Sequence, residues 1–245
     1  MISFIWPSGE VMLAGTGGSE TFTAGHVREL VSRGIDVQIV IVGAVVTQTR
    51  QDFPDLPVVG LLDEKELSDL PGTVVFINQA YDVPTKNKAA IILHCAVPSR
   101  LEQKERKQDT IGKTIIATSV YNAQQWALYL KIPSSDIDVV MPFADPRYGV
   151  TARSVPTQKV RVLYAGRLHP EKGIYTILEM LQHYRMKMLG VHMSIVMAGL
   201  HVEEGRTIAH MLRDYQYAKL VDSQKTVESM ADLLARTDIL LMPSV

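Results

Sequence analysis

Short apolar segments rich in Val and Ile alternate with amphipathic segments along nearly the whole chain, and this alternation is what most limits its fold. The apolar segments are almost uninterrupted, as are strands buried on both faces of a parallel sheet. The amphipathic segments between them have the spacing of crossover helices. The sequence therefore predicts an α/β fold of βαβ units, with doubly wound parallel sheets and right-handed crossovers.

The alternation runs through two series. The first predicts strands at 2–6, 37–42, 57–61, 74–77, 89–94, 114–118 and 137–141 and helices at 20–33, 63–70, 99–107 and 121–130. The second predicts strands at 160–165, 193–198, 218–221 and 238–242 and helices at 173–189, 203–215 and 227–236. Between them, the segment 142–158 has three prolines and few apolar residues, which is typical of a linker. We predict two Rossmann-like domains, 1–145 and 159–245, joined by a hinge at 146–158.

The second series stops directly after the predicted strand at 238–242. A parallel strand normally leads into a helix that covers its sheet. We therefore expect the second domain to be incomplete, with apolar surface left uncovered at its flank, and the chain to be truncated.

Composition narrows the class of protein. Hydrophobic residues make up 47% of the 245 residues and charged residues 21%, which supplies a core and excludes disorder. A net charge of -1 argues against nucleic-acid binding. The single cysteine, Cys95, excludes a disulfide framework and fits a reducing compartment. The chain shows no signal-peptide pattern and no apolar run near the ~20 residues that span a bilayer. We expect a cytoplasmic protein, with peripheral membrane contact left open.

The segment 162–173 predicts a buried strand, a turn at Gly166 and a helix that begins near Gly173. Where a strand leads into a helix N-terminus, unpaired backbone N–H groups and the positive end of the helix dipole lie close together. Arg167 and Lys172 add two positive charges there, which is favourable when an anion lies between them. The loop predicts a diphosphate site, and solvated loop cations are the alternative.

A second glycine-rich loop, Ala-Gly-Thr-Gly-Gly-Ser-Glu at 14–20, follows the first predicted strand. Gly17 and Gly18 allow the backbone to approach a ligand closely, and Ser19 can cap the next helix. The spacing is neither a dinucleotide fingerprint nor a P-loop, so a flexible turn is the alternative. His94 ends another predicted strand and is expected at the same sheet edge, where open α/β sheets bind ligands. A buried packing histidine is the alternative for His94.

No arrangement predicts a metal site or a nucleophile. Asp136 and Asp138 are two carboxylates at the start of a predicted strand, and a helix-to-strand junction explains them better than a metal does. No histidine pair has the spacing of helical metal ligands, and no nucleophile elbow is present.

Four motifs together resemble one family over the whole chain, the GT-B-fold glycosyltransferases of the retaining family 4 (group 1) type. The first is the glycine loop with Gly17-Gly-Ser-Glu20, and the second is Ile-Asp-Val-Val-Met-Pro-Phe-Ala-Asp at 137–145, similar to the family's "IxVIPNGVD". The third, Gly166-Arg-Leu-His-Pro-Glu-Lys-Gly173, resembles the donor-phosphate motif. The fourth is the segment 235–244, which is similar to the strand that precedes the family's acidic motif. In the second motif, Phe143-Ala144 replaces the family's usual Asn-Gly. The family's two glutamates, which contact the donor sugar and the nucleotide ribose, would fall after Ser244.

The resemblance implies roles for individual residues. Arg167 and Lys172 would bind the donor diphosphate and offset the charge of the leaving group. Gly17 or Gly18 would present a backbone N–H to the distal phosphate, and Gly199 would lie close to the nucleotide. The resemblance also implies that no metal and no cofactor is needed, the nucleotide-diphosphate sugar being the donor substrate.

His94 would lie beside the transferred sugar, which makes His94, Arg167 and Lys172 the expected catalytic residues. The leading hypothesis is a hexosyltransferase-type enzyme that retains the anomeric configuration. Its acceptor, a carbohydrate, a lipid-linked group or a small molecule, would bind mainly to residues 1–142. Two alternatives stay open: a non-catalytic sugar-nucleotide-binding fragment, and an epimerase of the same fold that acts on UDP-sugars.

Overall fold

The computed structural model describes residues 1–81, 88–97, 109–149, 159–183, 190–197, 200, 203–215, 218–224 and 226–244. The helix predicted at 99–107, the hinge residues 150–158 and Gly199 lie outside these ranges. The chain divides into two compact units. The first comprises Met1–Ala14 and Gly18–Phe143, and the second comprises Gly15–Gly17 and Ala144–Val245.

The first unit contains a seven-stranded sheet. Its strands are β1 (Ile2–Ile5), β2 (Val37–Val42), β3 (Val58–Leu61), β4 (Thr73–Ile77), β5 (Ala89–Leu93), β6 (Thr114–Ala117) and β7 (Ile137–Val139). They follow the order β3-β2-β1-β4-β5-β6-β7, and every neighbouring pair is parallel. The predicted doubly wound parallel sheet is confirmed.

Three α-helices of this unit are α1 (Gly18–Ser32), α2 (Thr47–Asp52) and α3 (Val120–Leu130). The helix predicted at 63–70 is a 3-10 helix, Glu64–Asp69, which starts in a capping box made by Asp63 and Glu66. The sequence did not predict α2, because its six residues, Thr-Gln-Thr-Arg-Gln-Asp, have no apolar periodicity.

Both faces of the first sheet are covered. Along β2, Ile39, Val40, Ile41 and Val42 are all fully buried, and they contribute alternately to two apolar clusters on opposite faces. This burial explains why β2 is almost uninterrupted in apolar character rather than alternating with polar residues.

The second unit contains a four-stranded sheet. Its strands are β8 (Val160–Tyr164), β9 (Val191–Met197), β10 (Ala218–Asp222) and β11 (Ile239–Leu241), in the order β10-β9-β8-β11 and all parallel. Its α-helices are α4 (Ile174–His183), α5 (Glu203–Arg213) and α6 (Val227–Ala235). The predicted uncovered flank is confirmed, since Ile239 and Leu240 on β11 are 47% and 44% exposed.

The strand order reverses once in each sheet, at the same relative place. In the first sheet, β1 lies between β2 and β4, and in the second, β8 lies between β9 and β11. Ligands of open α/β sheets bind outside the carboxyl ends of the strands at this reversal. The two loops singled out from the sequence follow β1 and β8, so each begins at the reversal of its own sheet.

Candidate functional site

The loop after β8 folds into a short 3-10 helix, Pro170–Lys172, before α4 begins. His169 caps this turn, because its Nδ1 accepts the N–H of Glu171 at 3.4 Å. The Gly173 N–H donates to the Pro170 carbonyl at 2.8 Å and closes the turn. The predicted strand, turn and helix start are confirmed, with α4 beginning one residue after Gly173.

Gly173 is required by both conformation and space. Its φ is +68°, in the left-handed region that residues with a Cβ rarely adopt. A Cβ at this position would lie 2.0 Å from the carbonyl oxygen of Pro243, which follows β11. The loops after β8 and β11 therefore pack backbone to backbone, which places residues 166–173 at the strand reversal of the second sheet.

Arg167 and Lys172 both belong to this loop. Arg167 is exposed and Lys172 is half-buried, and neither side chain has a hydrogen bond or an ion pair with another residue that the structure describes. The acidic residue next to Lys172, Glu171, lies instead beside His169, at 3.6 Å from Nδ1. The other ring nitrogen of His169 is 3.5 Å from Glu204. Two cations without acidic partners in one loop form a suitable binding site for an anion.

The glycine loop that follows β1 is hydrogen-bonded to α2 where the loop starts. The Ala14 N–H donates to Asp52 Oδ2 of α2 at 2.9 Å. Helix α1 then begins at Gly18, two residues earlier than the sequence predicts. A Cβ at Gly18 would meet no atom of the described residues within 4 Å, so no packing contact among them explains this glycine. The space beside Gly18 leaves room for a ligand at the start of α1.

Three side chains, one that follows β4 and two from α3, hold the backbone around His94, which follows β5. The His94 N–H donates to Asn78 Oδ1 at 2.8 Å. The Leu93 carbonyl accepts from Asn122 Nδ2 at 2.8 Å, and the Cys95 carbonyl accepts from the Trp126 indole N–H at 3.1 Å. His94 is thus held at the carboxyl edge of the first sheet, where the sequence predicts it.

The imidazole of His94 packs edge-on against Phe22 of α1, with 4.5 Å between ring centroids. His26, which also belongs to α1, stacks on the same Phe22 ring with 3.9 Å between ring centroids. Burial of His94, followed by the positive charge of His26, lowers the pKa of His94 to about 4. His94 Nε2 is buried and has no hydrogen-bond partner among the described residues. A neutral imidazole donates a hydrogen bond from one ring nitrogen and accepts one at the other, without adding charge to the site.

The lowered pKa of His94 makes stability depend on pH. The unfolded chain takes up a proton near pH 6.5 and the folded state only near pH 4. Stability is therefore fully present above pH 6.5 and falls by at most about 3 kcal/mol as the pH drops to 4. In urea unfolding at pH 7 and pH 4.5, His94→Gln should lose less stability between the two pH values than the unaltered protein.

The matched control is His192→Gln, which removes an exposed histidine of β9. This variant should keep the pH dependence of the unaltered protein to within about 0.5 kcal/mol. A His94→Gln variant with an unchanged loss of stability at low pH would show that His94 is protonated in the folded state.

Two residues that hold the candidate site were missed by sequence reasoning. Asn78 follows β4 with φ of +62° and reaches both His94 and, at 3.5 Å, the hydroxyl of Ser19. An Asn directly after an apolar strand is a weak signal for this left-handed conformation. Tyr164, at the end of β8, hydrogen-bonds to the loop at 166–173, which we call the cationic loop because it carries Arg167 and Lys172. A hydroxyl directly after the apolar pair Val162 and Leu163 is the available signal.

The structure brings Arg167, Lys172 and Gly173 into one loop of the second unit and places His94 at the sheet edge of the first. Gly199 lies outside the described residues. Within the described ranges, no group of three or more His, Cys, Asp or Glu side chains is placed to hold a metal ion. The same residues include no helix with the length and apolar character needed to cross a bilayer.

Two Rossmann-like units with parallel sheets, the second smaller, define the GT-B class of α/β folds. No protein-family model matches the chain, and no curated protein matches it either. Solved structures do match. A glycosyltransferase from Rickettsia africae has 14% identity and a TM-score of 0.68, over 100% of this chain and 73% of that chain.

Two further solved structures agree with this match. HepE from Anabaena, in complex with UDP and glucose, has 13% identity and a TM-score of 0.70, over 99% of this chain and 74% of that chain. WaaG, a glycosyltransferase involved in lipopolysaccharide biosynthesis, has 11% identity and a TM-score of 0.69, over 100% and 75%. At such identities the similarity shows the fold, which this chain shares with glycosyltransferases.

Proposed function

We propose that this protein is a glycosyltransferase that moves a sugar from a nucleotide-diphosphate sugar to an acceptor. The observation that carries the proposal is the pair Arg167 and Lys172, two cations without acidic partners among the described residues, on the loop at the strand reversal of the second sheet. The presence of UDP and glucose in a solved structure of the same fold supports it.

The proposed chemistry uses the charge that develops when the glycosyl–phosphate bond breaks. Negative charge accumulates on the leaving diphosphate, and cations held in place beforehand stabilise it. In this scheme Arg167 and Lys172 contact the two phosphates, and a backbone N–H of Gly17 or Gly18 donates to the distal one. We also propose that Gly199 contributes to nucleotide binding and that no metal or cofactor takes part.

His94 completes the proposed catalytic set with Arg167 and Lys172. Because burial keeps its imidazole neutral, His94 forms a hydrogen bond with a hydroxyl of the transferred sugar without adding charge. We propose that the reaction retains the anomeric configuration, as in the retaining family 4 type that the motifs resemble. The acceptor is a carbohydrate, a lipid-linked group or a small molecule, and the protein acts in the cytoplasm.

The experiment that tests this proposal has two stages. In the first stage, calorimetry measures the affinities of UDP, GDP and ADP and of the three corresponding nucleosides. At least one of the diphosphates should bind at least ~10-fold more tightly than its own nucleoside. The matching nucleotide sugar is then incubated with candidate acceptors, and the anomeric configuration of the product is read by NMR.

Each outcome leads to a different conclusion. Transfer with retention supports the full proposal, whereas transfer with inversion contradicts its stereochemistry. Binding of the diphosphate without turnover supports the alternative of a non-catalytic sugar-nucleotide-binding protein. If none of the three diphosphates binds more tightly than its nucleoside, the assignment of the loop at 166–173 is wrong.

A further inference from the structure

Tyr164 is a buried residue at the point where β8 enters the cationic loop. It is 2% exposed, and its ring belongs to the apolar cluster that includes Leu168, Ile174 and Ile177. Its hydroxyl donates to the carbonyl of Arg167 at 2.7 Å, and the carbonyl of Lys172 lies 3.4 Å from the same hydroxyl. The main-chain oxygens of the two residues that carry the candidate cations therefore converge on one hydroxyl group.

The turn at Gly166 packs closely against the Tyr164 hydroxyl. A Cβ at Gly166 would lie 3.0 Å from the Tyr164 hydroxyl oxygen and 3.2 Å from the ring carbon that bears it. A residue with a Cβ would force the phenol or the loop to shift by a few tenths of an ångström. A buried hydroxyl must find a hydrogen-bond partner, and here that partner is the loop.

We propose that Tyr164 is a positioning residue that holds the cationic loop in its diphosphate-binding conformation, an inference that rests on the proposed function. The hydroxyl fixes the main chain at Arg167 and beside Lys172. It thereby determines the position from which each of the two cationic side chains extends. A loop ordered before binding gives up less conformational freedom when the diphosphate arrives, which raises affinity. Tyr164 itself does not contact the substrate.

The hydroxyl of Tyr164 keeps its proton at every pH at which nucleotide binding is measured. Burial raises the pKa of Tyr164 to about 12, although the positive charge of Arg167 opposes this shift. The phenol therefore donates its hydrogen bond at any working pH. Removal of the hydroxyl, rather than a change of pH, is the way to test its role.

Tyr164→Phe removes the hydroxyl and keeps the ring. Loss of one neutral hydrogen bond should weaken binding of the tightest nucleoside diphosphate roughly fivefold and leave the matching nucleoside unaffected. Calorimetry on the full chain measures both affinities, at a temperature where thermal unfolding shows each variant to be folded. The matched control is Tyr175→Phe, the same change at an α4 tyrosine that is 44% exposed, and its affinities should equal those of the unaltered protein.

The outcomes separate this inference from the proposed function. If Arg167→Ala weakens diphosphate binding and Tyr164→Phe lowers only the unfolding temperature, Tyr164 has a structural role alone and the inference is overturned. If the unaltered protein binds no nucleoside diphosphate, the proposed function is overturned and the inference with it. Should Tyr164→Phe fail to fold, Gly166→Ala, which pushes the hydroxyl aside, decides between the same outcomes.

Discussion

Replacing both Arg167 and Lys172 with alanine should weaken the binding of a nucleoside diphosphate by about 100-fold or more. A hydrogen bond between charged groups contributes about 1.5–3 kcal/mol, and each 1.4 kcal/mol corresponds to a tenfold change in affinity. Two such contacts are lost in the double variant. Because neither side chain has a hydrogen bond or an ion pair with another described residue, their removal should change stability by less than about 1 kcal/mol. Calorimetry and thermal unfolding measure the two quantities.

The control for this prediction removes the same charge from elsewhere in the second unit. Arg213 at the end of α5 and Lys219 on β10 are both exposed, and neither belongs to the loop after β8. The double variant with alanine at both positions should bind the diphosphate within about twofold of the unaltered protein. Equal losses in the two double variants would mean that net charge, not the loop, determines binding.

Gly173→Ala should lower the free energy of unfolding by about 2–5 kcal/mol. The left-handed backbone conformation costs a residue with a Cβ about 1–2 kcal/mol. The new methyl group would also lie 2.0 Å from the Pro243 carbonyl, so the loops after β8 and β11 must separate, at a further cost of about 1–3 kcal/mol. Urea unfolding, with a probe in the second unit, measures the change.

Gly190→Ala isolates the cost of the backbone conformation. Gly190 lies in the same unit with φ of +67°, and a Cβ there would meet nothing within 4 Å. Its replacement should therefore cost only about 1–2 kcal/mol. If Gly173→Ala destabilised the protein no more than Gly190→Ala does, the close approach of Gly173 to Pro243 would not be a feature of the folded protein.

The elements predicted from the sequence are those that carry a strong local signal. Strands such as β2 and β4 stood out because burial on both faces makes them apolar at nearly every position. The short helix α2 did not, because a six-residue polar helix has no apolar face. Helix α4 was predicted to begin at Gly173, but that glycine is left-handed and ends the preceding 3-10 turn instead.

The amino-acid sequence alone determined that two series of parallel βα units would form and that Arg167, Lys172 and His94 would follow buried strands. Such properties depend on the periodicity of neighbouring residues and on turn chemistry, which are local. Only the tertiary structure decided that Gly173 meets Pro243 and that His94 is held by Asn78. These contacts join residues distant in the chain, and they exist because of which strands lie side by side and how the side chains between them fill the space.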